Sequence, residues 1–538
     1  MQAYGKHIAE KIENLPMQSL SLDGTWKGFI QKAWLPHVQV RVWKIRIPSV
    51  IGEFFFPRKV NFQAFRLGKL FFLALPAEVG SEIGKEIEMR IQDRGFMPFI
   101  VGFANDYAIY AIPQRYYDDL DQYEARVSFY GKKFDQVFHR QADLLASILS
   151  STEEKRSYNS PGIRLQKEKL PVLKLQGDAY HQGYEEGRLM RQEIQRGVRQ
   201  IFRYFRKELP IPILNRFIIN FMLDRAWKKM EPYVSYEEYR YMKGLADGAD
   251  VSFRKIRRIH ALPEVYPTWC SNGAYWGPAT KSGKMIAIRN LDWNRKIGIH
   301  EHATVKYHDF EGRSDYVNIG YYGFAGVLSG INEHGISVGQ IGATSEDETM
   351  KGVPMPFLLK RVLEESETLE DAVAIFKRSD RTRGYNYIIA DAEKNEAAAI
   401  EATHHHLAIF YNQDPRESEV PYALPLDHAL FRGDPALDPT IRDLQWASDG
   451  NPEKPGLEMP SGGAYEIRYL KHGNLVKDHY GRIDPEIAEM IAKEIAPGSN
   501  IQSVIYAFPD FWVANAEGDK RAAETEYIHF DFEELKNL

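Results

Sequence analysis

The periodicity of this chain changes at its only cysteine. Upstream of Cys270, residues 166–269 carry apolar positions at helical spacing, as in GDAYHQGYEEGRLMRQEIQRGVRQIFRYFRKEL and SYEEYRYMKGLADGADVSFRKIRRIHAL. Downstream, AYWGPAT, KMIAIRNLDW, HATVKYHDF, VNIGYYG and GISVGQIGA are short strand-like runs. A repeat of 3.6 and a repeat of 2 bury different faces, so a helical segment must give way to a sheet-rich one. Ser235 and Glu238 have the spacing of a capping box at a helix start. Past the strands come a helix over PFLLKRVLEESETLEDAVAIFKRS, strands over YNYIIADAEKNEAAAIEATHHHLAIFY with a turn at 393–395, and a helix over DPEIAEMIAKEIA.

Residues 1–165 have another pattern. GKLFFLALP, EVGSEIGKEIEMRIQDRG and FMPFIVGFAN read as strand, helix closed by Gly95, and strand, which is a βαβ unit in a mixed α/β domain. The polar, turn-rich STEEKRSYNSPG, residues 151–162, reads as a linker. A chain of 538 residues exceeds one core. The expected organisation is therefore 1–165, a helical 166–269, and a core at 270–538. Strands, then helices, then strands, then a helix predict an α+β sheet sandwich with outer helices.

Sixty-nine Lys and Arg stand against 74 Asp and Glu without long single-sign blocks, which argues against nucleic acid or an anionic membrane as partner. A small molecule is expected instead. The most apolar windows, such as IPILNRFIINFMLDRAW, carry Arg and Asn, so no transmembrane segment is expected. MQAYGKHIAEKIENLP lacks the apolar stretch of a secretory signal, and a cytoplasmic location is expected.

A lone thiol has three readings. It can be a small buried hydrophobe. It can open a helix whose dipole lowers its pKa, next to a histidine, but an aromatic strand follows Cys270. Or the Trp269–Cys270 bond is cut. Cys270 then carries a free amine of pKa about 7.7–8.0, against about 10.4 for Lys, which can take the thiol's proton. Arg289 and Asp292 lie on the strand returning across the Ser-Gly turn toward Cys270. The Arg favours thiolate and orients a carbonyl, and the Asp anchors the amine; a plain surface ion pair is the alternative.

CSNGAYWGPATKSGKMIAIRNLDWN resembles the nucleophile hairpin of N-terminal-nucleophile hydrolases of the penicillin acyltransferase type, relatives of choloylglycine hydrolase, penicillin V acylase and acid ceramidase. LQGDAYHQGYEEGRLMRQEI and YMKGLADGADVSFRKIRRIHAL are similar to that family's leading helical chain, and SGINEHGISVGQ to its Asn-Glu-x-Gly turn. The resemblance spans about 170–538. It implies a four-layer αββα fold, self-cleavage before Cys270, and attack of its sulfur on a non-peptide amide of an N-acylated small molecule. The resulting thioester goes to water or an acceptor amine, and no cofactor is required. Cys270 matches the nucleophile, Arg289 and Asp292 the hairpin pair, and Arg468 in YEIRYL a late supporting Arg, with a solvated strand edge as its plainer reading. Asp427-His428 stands where the family commonly has Asn-His, and a carboxylate repels an oxyanion unless protonated or turned away. Backbone N–H groups or Asn386 are the other donors. Gly342 replaces an Asn of some relatives, and bulky Trp269 precedes the nucleophile where a small residue eases the strain of cleavage.

Residues 37–150 resemble the later catalytic domain of neutral ceramidases, which are zinc amidases. Glu78 and Tyr107 or Tyr110 match zinc-site positions, but no histidine pair at metal spacing precedes them, so no metal is expected. In THHHL, alternation on a strand sends His404 and His406 to one face and His405 to the other, two imidazoles without a third ligand. Two other readings of the whole chain are a catalytically silent binding protein of the same fold and a zinc amidase completed by another chain.

Overall fold

The computed structural model describes residues 26–36, 38–42, 45–46, 55–57, 59–150, 161–208, 212–266, 269–310, 312–433, 436–448 and 465–538. The N-terminal sixteen residues discussed above and nearly all of the expected linker lie outside them. Two compact units emerge, Met1–Arg156 and Ser157–Leu538.

In the first unit Leu70–Ala74 and Met97–Val101 pair in parallel, as a βαβ unit requires, and Ser81–Gln92 is the helix between them. That helix buries Ile83, Ile87 and Ile91, a single stripe at i, i+4 and i+8. Gly95, at φ 82°, turns the chain back into the sheet. Lys59–Leu67 and Trp26–Trp34 complete the sheet in antiparallel fashion. Glu78 and Tyr110 are register partners on two short parallel strands. A hydrogen bond to Glu78 pushes the Tyr110 hydroxyl up to about 12.

The second unit begins earlier than 166. Ile163–Lys167 and Leu170–Gln176 form a hairpin, so the stretch expected to be helical opens as sheet. The alternation in LPVLKLQ is short and broken by Pro171, which hides it beside the long helical pattern that follows. That helical pattern holds: Ala179–Leu189 and Tyr236–Ala249 pack directly on each other, and the Ser235–Glu238 capping box is formed. Their contact depends on glycine. A Cβ on Gly248 would lie 2.1 Å from the Tyr184 carbonyl oxygen, and one on Gly244 2.0 Å from that of Tyr180.

Among the described residues the second unit holds two large sheets. One has nine strands in the order Leu407–Phe410, Glu396–Ala402, Tyr385–Asp391, Ile336–Gly342, Ser329–Asn332, Tyr316–Tyr321, Ala303–Asp309, Leu170–Gln176, Ile163–Lys167. Every pair is antiparallel except Leu170–Gln176 with Ala303–Asp309. The other has six antiparallel strands: Ala429–Arg432, Trp269–Tyr275, Ile286–Asp292, Asn500–Ala507, Asp510–Asn515, Ile528–Asp531. Buried polar pairs join the two: Ser329 Oγ donates to Gln502 Oε1 at 2.9 Å, and Arg432 reaches Glu401 at 2.7 Å. Met355–Glu365 and Leu369–Arg378 pack on strands of the nine-stranded sheet, and Tyr465–Asp478 and Pro485–Ile495 on strands of the six-stranded one.

Two local expectations are corrected. PFLLKRVLEESETLEDAVAIFKRS is two helices, because Thr368 and Asp371 form a capping box that starts the second. His404–His406 do not continue a strand. They form the bend between Glu396–Ala402 and Leu407–Phe410, where the Asp347 carboxylate accepts from Thr403 Oγ1 at 2.5 Å and from the His405 amide at 2.8 Å.

Candidate active site

Trp269–Tyr275 and Ile286–Asp292 are the hairpin expected around the thiol, with Cys270 opposite Leu291 and Asn272 opposite Arg289. Directly opposed residues share a sheet face, and alternate residues do also. Cys270, Asn272 and Arg289 therefore face the nine-stranded sheet, while Ser271, Asn290 and Asp292 face the covering helices. On the inner side the facing residue is Gly339. A Cβ there would come within 2.7 Å of both Arg289 Cδ and Asn272 Nδ2, so only glycine leaves room between the sheets at this point.

The inner face is dry. Cys270 is fully buried and Arg289 nearly so. Arg289 Nη1 donates to the Asn290 carbonyl at 2.6 Å and to Asn272 Oδ1 at 3.4 Å, and Nε donates to the Leu328 carbonyl at 3.3 Å. Arg289 Nη2 and Asn272 Nδ2 have no hydrogen-bond partner among the described residues. Burial pushes the Cys270 thiol up, and the nearby Arg289 charge pulls it partly back. In the unbroken strand Cys270 is thus a thiol, and it needs a base to become a nucleophile.

The outer face holds the carboxylate. Asp292 Oδ2 accepts from Arg468 Nη2 at 2.6 Å and Oδ1 from Asn500 Nδ2 at 3.0 Å. Arg468 Nη2 also donates to Ser271 Oγ at 2.8 Å and Nε to the Ile495 carbonyl at 2.8 Å. Arg468 is on the helix Tyr465–Asp478, not at a strand edge, and so spans from helix to nucleophile strand. Burial pushes the Asp292 carboxyl up, against the pull of Arg468 and Asn500.

Four of the five sequence-predicted residues thus meet at one end of the hairpin. Asp427 does not. The strand Ala429–Arg432 runs antiparallel to Trp269–Tyr275, with Ala429 opposite Tyr275 and Arg432 opposite Asn272. Asp427 therefore lies beyond the far end of the nucleophile strand, roughly 20 Å along it from Cys270 at about 3.3 Å per residue. Its side chain is 41% exposed, accepts from Asn412 Nδ2 at 3.0 Å and pairs with His428 at 2.8 Å. A role for Asp427 at the thiol is withdrawn on that ground. Asn386, named above as another donor, is on the near side: its Nδ2 donates to the Gly433 carbonyl at 3.0 Å, next to the Arg432–Asn272 pair. Gly342 ends its strand opposite Tyr385.

An apolar pocket lies between the helix Arg191–Glu208 and the strand ends at His302 and Tyr321. Ile194, Val198, Ile201, Ile259 and Leu262 form much of its wall. Leu328 and Tyr321 join it to the site, since the Leu328 carbonyl takes a hydrogen bond from Arg289 and Tyr321 lies within electrostatic reach of both Arg289 and Cys270.

Residues 279–418 match the family model described as "Acyl-coenzyme A:6-aminopenicillanic acid acyl-transferase", an N-terminal-nucleophile family. The match includes Arg289 and Asp292 and begins just past Cys270. Protein dcd1A of Dictyostelium discoideum is 24% identical over 299 residues, covering 51% of this chain and 65% of that protein, which is less than two thirds of its length. Among solved structures, the N-acylethanolamine-hydrolyzing acid amidase ortholog of Caenorhabditis elegans is similar at 16% identity and TM-score 0.33 over 44% of this chain and 92% of that one. Neutral ceramidase from Pseudomonas aeruginosa is similar at 16% identity and TM-score 0.21 over 24% of this chain and 29% of that one. Among the described residues no helix is long and apolar enough to cross a membrane, and no cluster of three or more His, Cys, Asp or Glu could hold a metal ion.

Proposed function

We propose that this protein is a cysteine N-terminal-nucleophile amidohydrolase or acyltransferase of αββα architecture, cleaved by itself between Trp269 and Cys270, acting on a non-peptide amide of an N-acylated small molecule. The observation that carries this reading is a buried thiol on the same strand face as Arg289, whose Nη2 has no hydrogen-bond partner among the described residues, with an apolar pocket reached through Leu328 and Tyr321. In this reading the freed Cys270 amine takes the thiol proton and the sulfur adds to the amide carbonyl. Arg289 Nη2 and Asn272 Nδ2, both buried on the nucleophile's face, receive the oxyanion. The C–N bond then breaks and the amine leaves with the proton held by the Cys270 nitrogen. Water or an acceptor amine attacks the thioester, the C–S bond breaks, and the thiol returns. Asp292, held by Arg468 and Asn500, fixes the strand end that carries the new terminus.

The reading is tested by intact mass and N-terminal sequencing, because cleavage leaves pieces 1–269 and 270–538 that migrate together on a gel. Expected are a terminus at Cys270, a Cys270→Ala protein that stays whole, and loss of amide hydrolysis in that variant. A whole chain that hydrolyses its amide at full rate would overturn it.

A further inference from the structure

The apolar pocket carries three polar atoms that its walls do not satisfy. Trp293 Nε1, His302 Nε2 and Tyr321 OH have no hydrogen-bond partner among the described residues. All three side chains line the pocket and are buried, at 3%, 6% and 4% exposure. A buried polar group without a partner costs about 1–3 kcal/mol, and three around one cleft point to a ligand that supplies what the protein does not. A second feature orients the imidazole. His302 Nδ1 is 2.6 Å from Tyr322 OH, and a Cβ on Gly197, another pocket residue, would lie 3.0 Å from Nε2, so the ring edge with the spare nitrogen is turned to the helix Arg191–Glu208.

The chemistry of the three atoms narrows the ligand. Trp293 Nε1 only donates. Tyr321 OH does both, and His302 Nε2 donates or accepts according to which way the Tyr322 hydroxyl turns. A carbonyl answers the donors alone, and a carboxylate would be stripped of water among Ile194, Val198 and Ile201. A hydroxyl accepts from Trp293 and donates to His302 or Tyr321. Resting on the amidase reading above, we infer that the acyl group this pocket selects is an aliphatic chain bearing a hydroxyl, held by Trp293, His302 and Tyr321.

Free acids test the pocket without turnover. Calorimetric binding of dodecanoic acid to the wild-type protein is compared with that of its monohydroxylated positional isomers. The expected result is that at least one isomer binds about tenfold tighter or better, since a site built for a hydroxyl rejects the analogue lacking it. Tyr321→Phe and Trp293→Phe should each erode that preference, read as the ratio of the isomer's affinity to that of dodecanoic acid in the same variant, with far-UV circular dichroism reporting that the variant is folded; Tyr321→Phe removes one oxygen and is the safer of the two. No gain for any isomer, a gain that survives both substitutions, or no binding of any of these acids overturns the inference. Amide turnover is scored separately. A hydroxyl preference without turnover removes the amidase reading and keeps the binding site, and turnover without the preference does the reverse.

Discussion

Asn272 carries a donor with no partner among the described residues, two residues along the strand from the thiol and on the same face. As one of the two donors proposed for the oxyanion, it should matter to turnover more than to binding. Asn272→Ala is expected to lower kcat by about 10²–10³ with KM nearly unchanged, measured by steady-state kinetics on an amide the wild type turns over. On the opposite face, Arg468→Leu leaves Asp292 buried with Asn500 as its one remaining partner of the pair. Removing one member of a buried ion pair costs about 3–5 kcal/mol, so the urea midpoint should fall markedly. The hairpin alternation exposes the kinship of Asn272 with Cys270 to anyone who reads the strand register. Asn500 has no such signal, being 208 residues from Asp292 along the chain.

Helix contacts in this protein are set by what is missing from side chains as much as by what is present. Ala179–Leu189 and Tyr236–Ala249 touch backbone to backbone at Gly244 and Gly248. Gly248→Ala places a methyl against a carbonyl that cannot turn away, and a loss of at least about 1–3 kcal/mol in chemical denaturation is expected. The pairing also leads to the pocket. Glu186 on the first helix and Tyr241 on the second meet at 2.5 Å, and Glu186 accepts from the Gly323 amide at 2.8 Å, next to Tyr321 and Tyr322 in the pocket wall. Thr368→Ala, by contrast, removes one helix cap remote from the site and should cost about 1 kcal/mol without altering turnover.

At the scale of the molecule, close packing leaves several histidines without water. Burial holds His260 and His302 down to about 4 and His472 to about 3. In the unfolded chain they take a proton near 6.5, so over the window below 6.5 the unfolded state binds more protons and stability falls as pH falls. His472 accepts or donates to Tyr275 OH, and Gln can replace that bond. Between pH 6.5 and 5, wild type is expected to lose about 1.6 kcal/mol in all more than His472→Gln, read from urea titrations at each pH. Read alone, the amino-acid sequence carries the helical-to-sheet change at Cys270, the hairpin that returns Arg289 toward it, and the βαβ unit near the N-terminus, because short-range periodicity and turn residues are local properties. It is silent on whether Asp427 or Arg468 reaches the thiol and on what walls the pocket. Those depend on which strand lies beside which and on how closely two sheets approach over a single glycine, distances that arise only when residues far apart along the chain pack together.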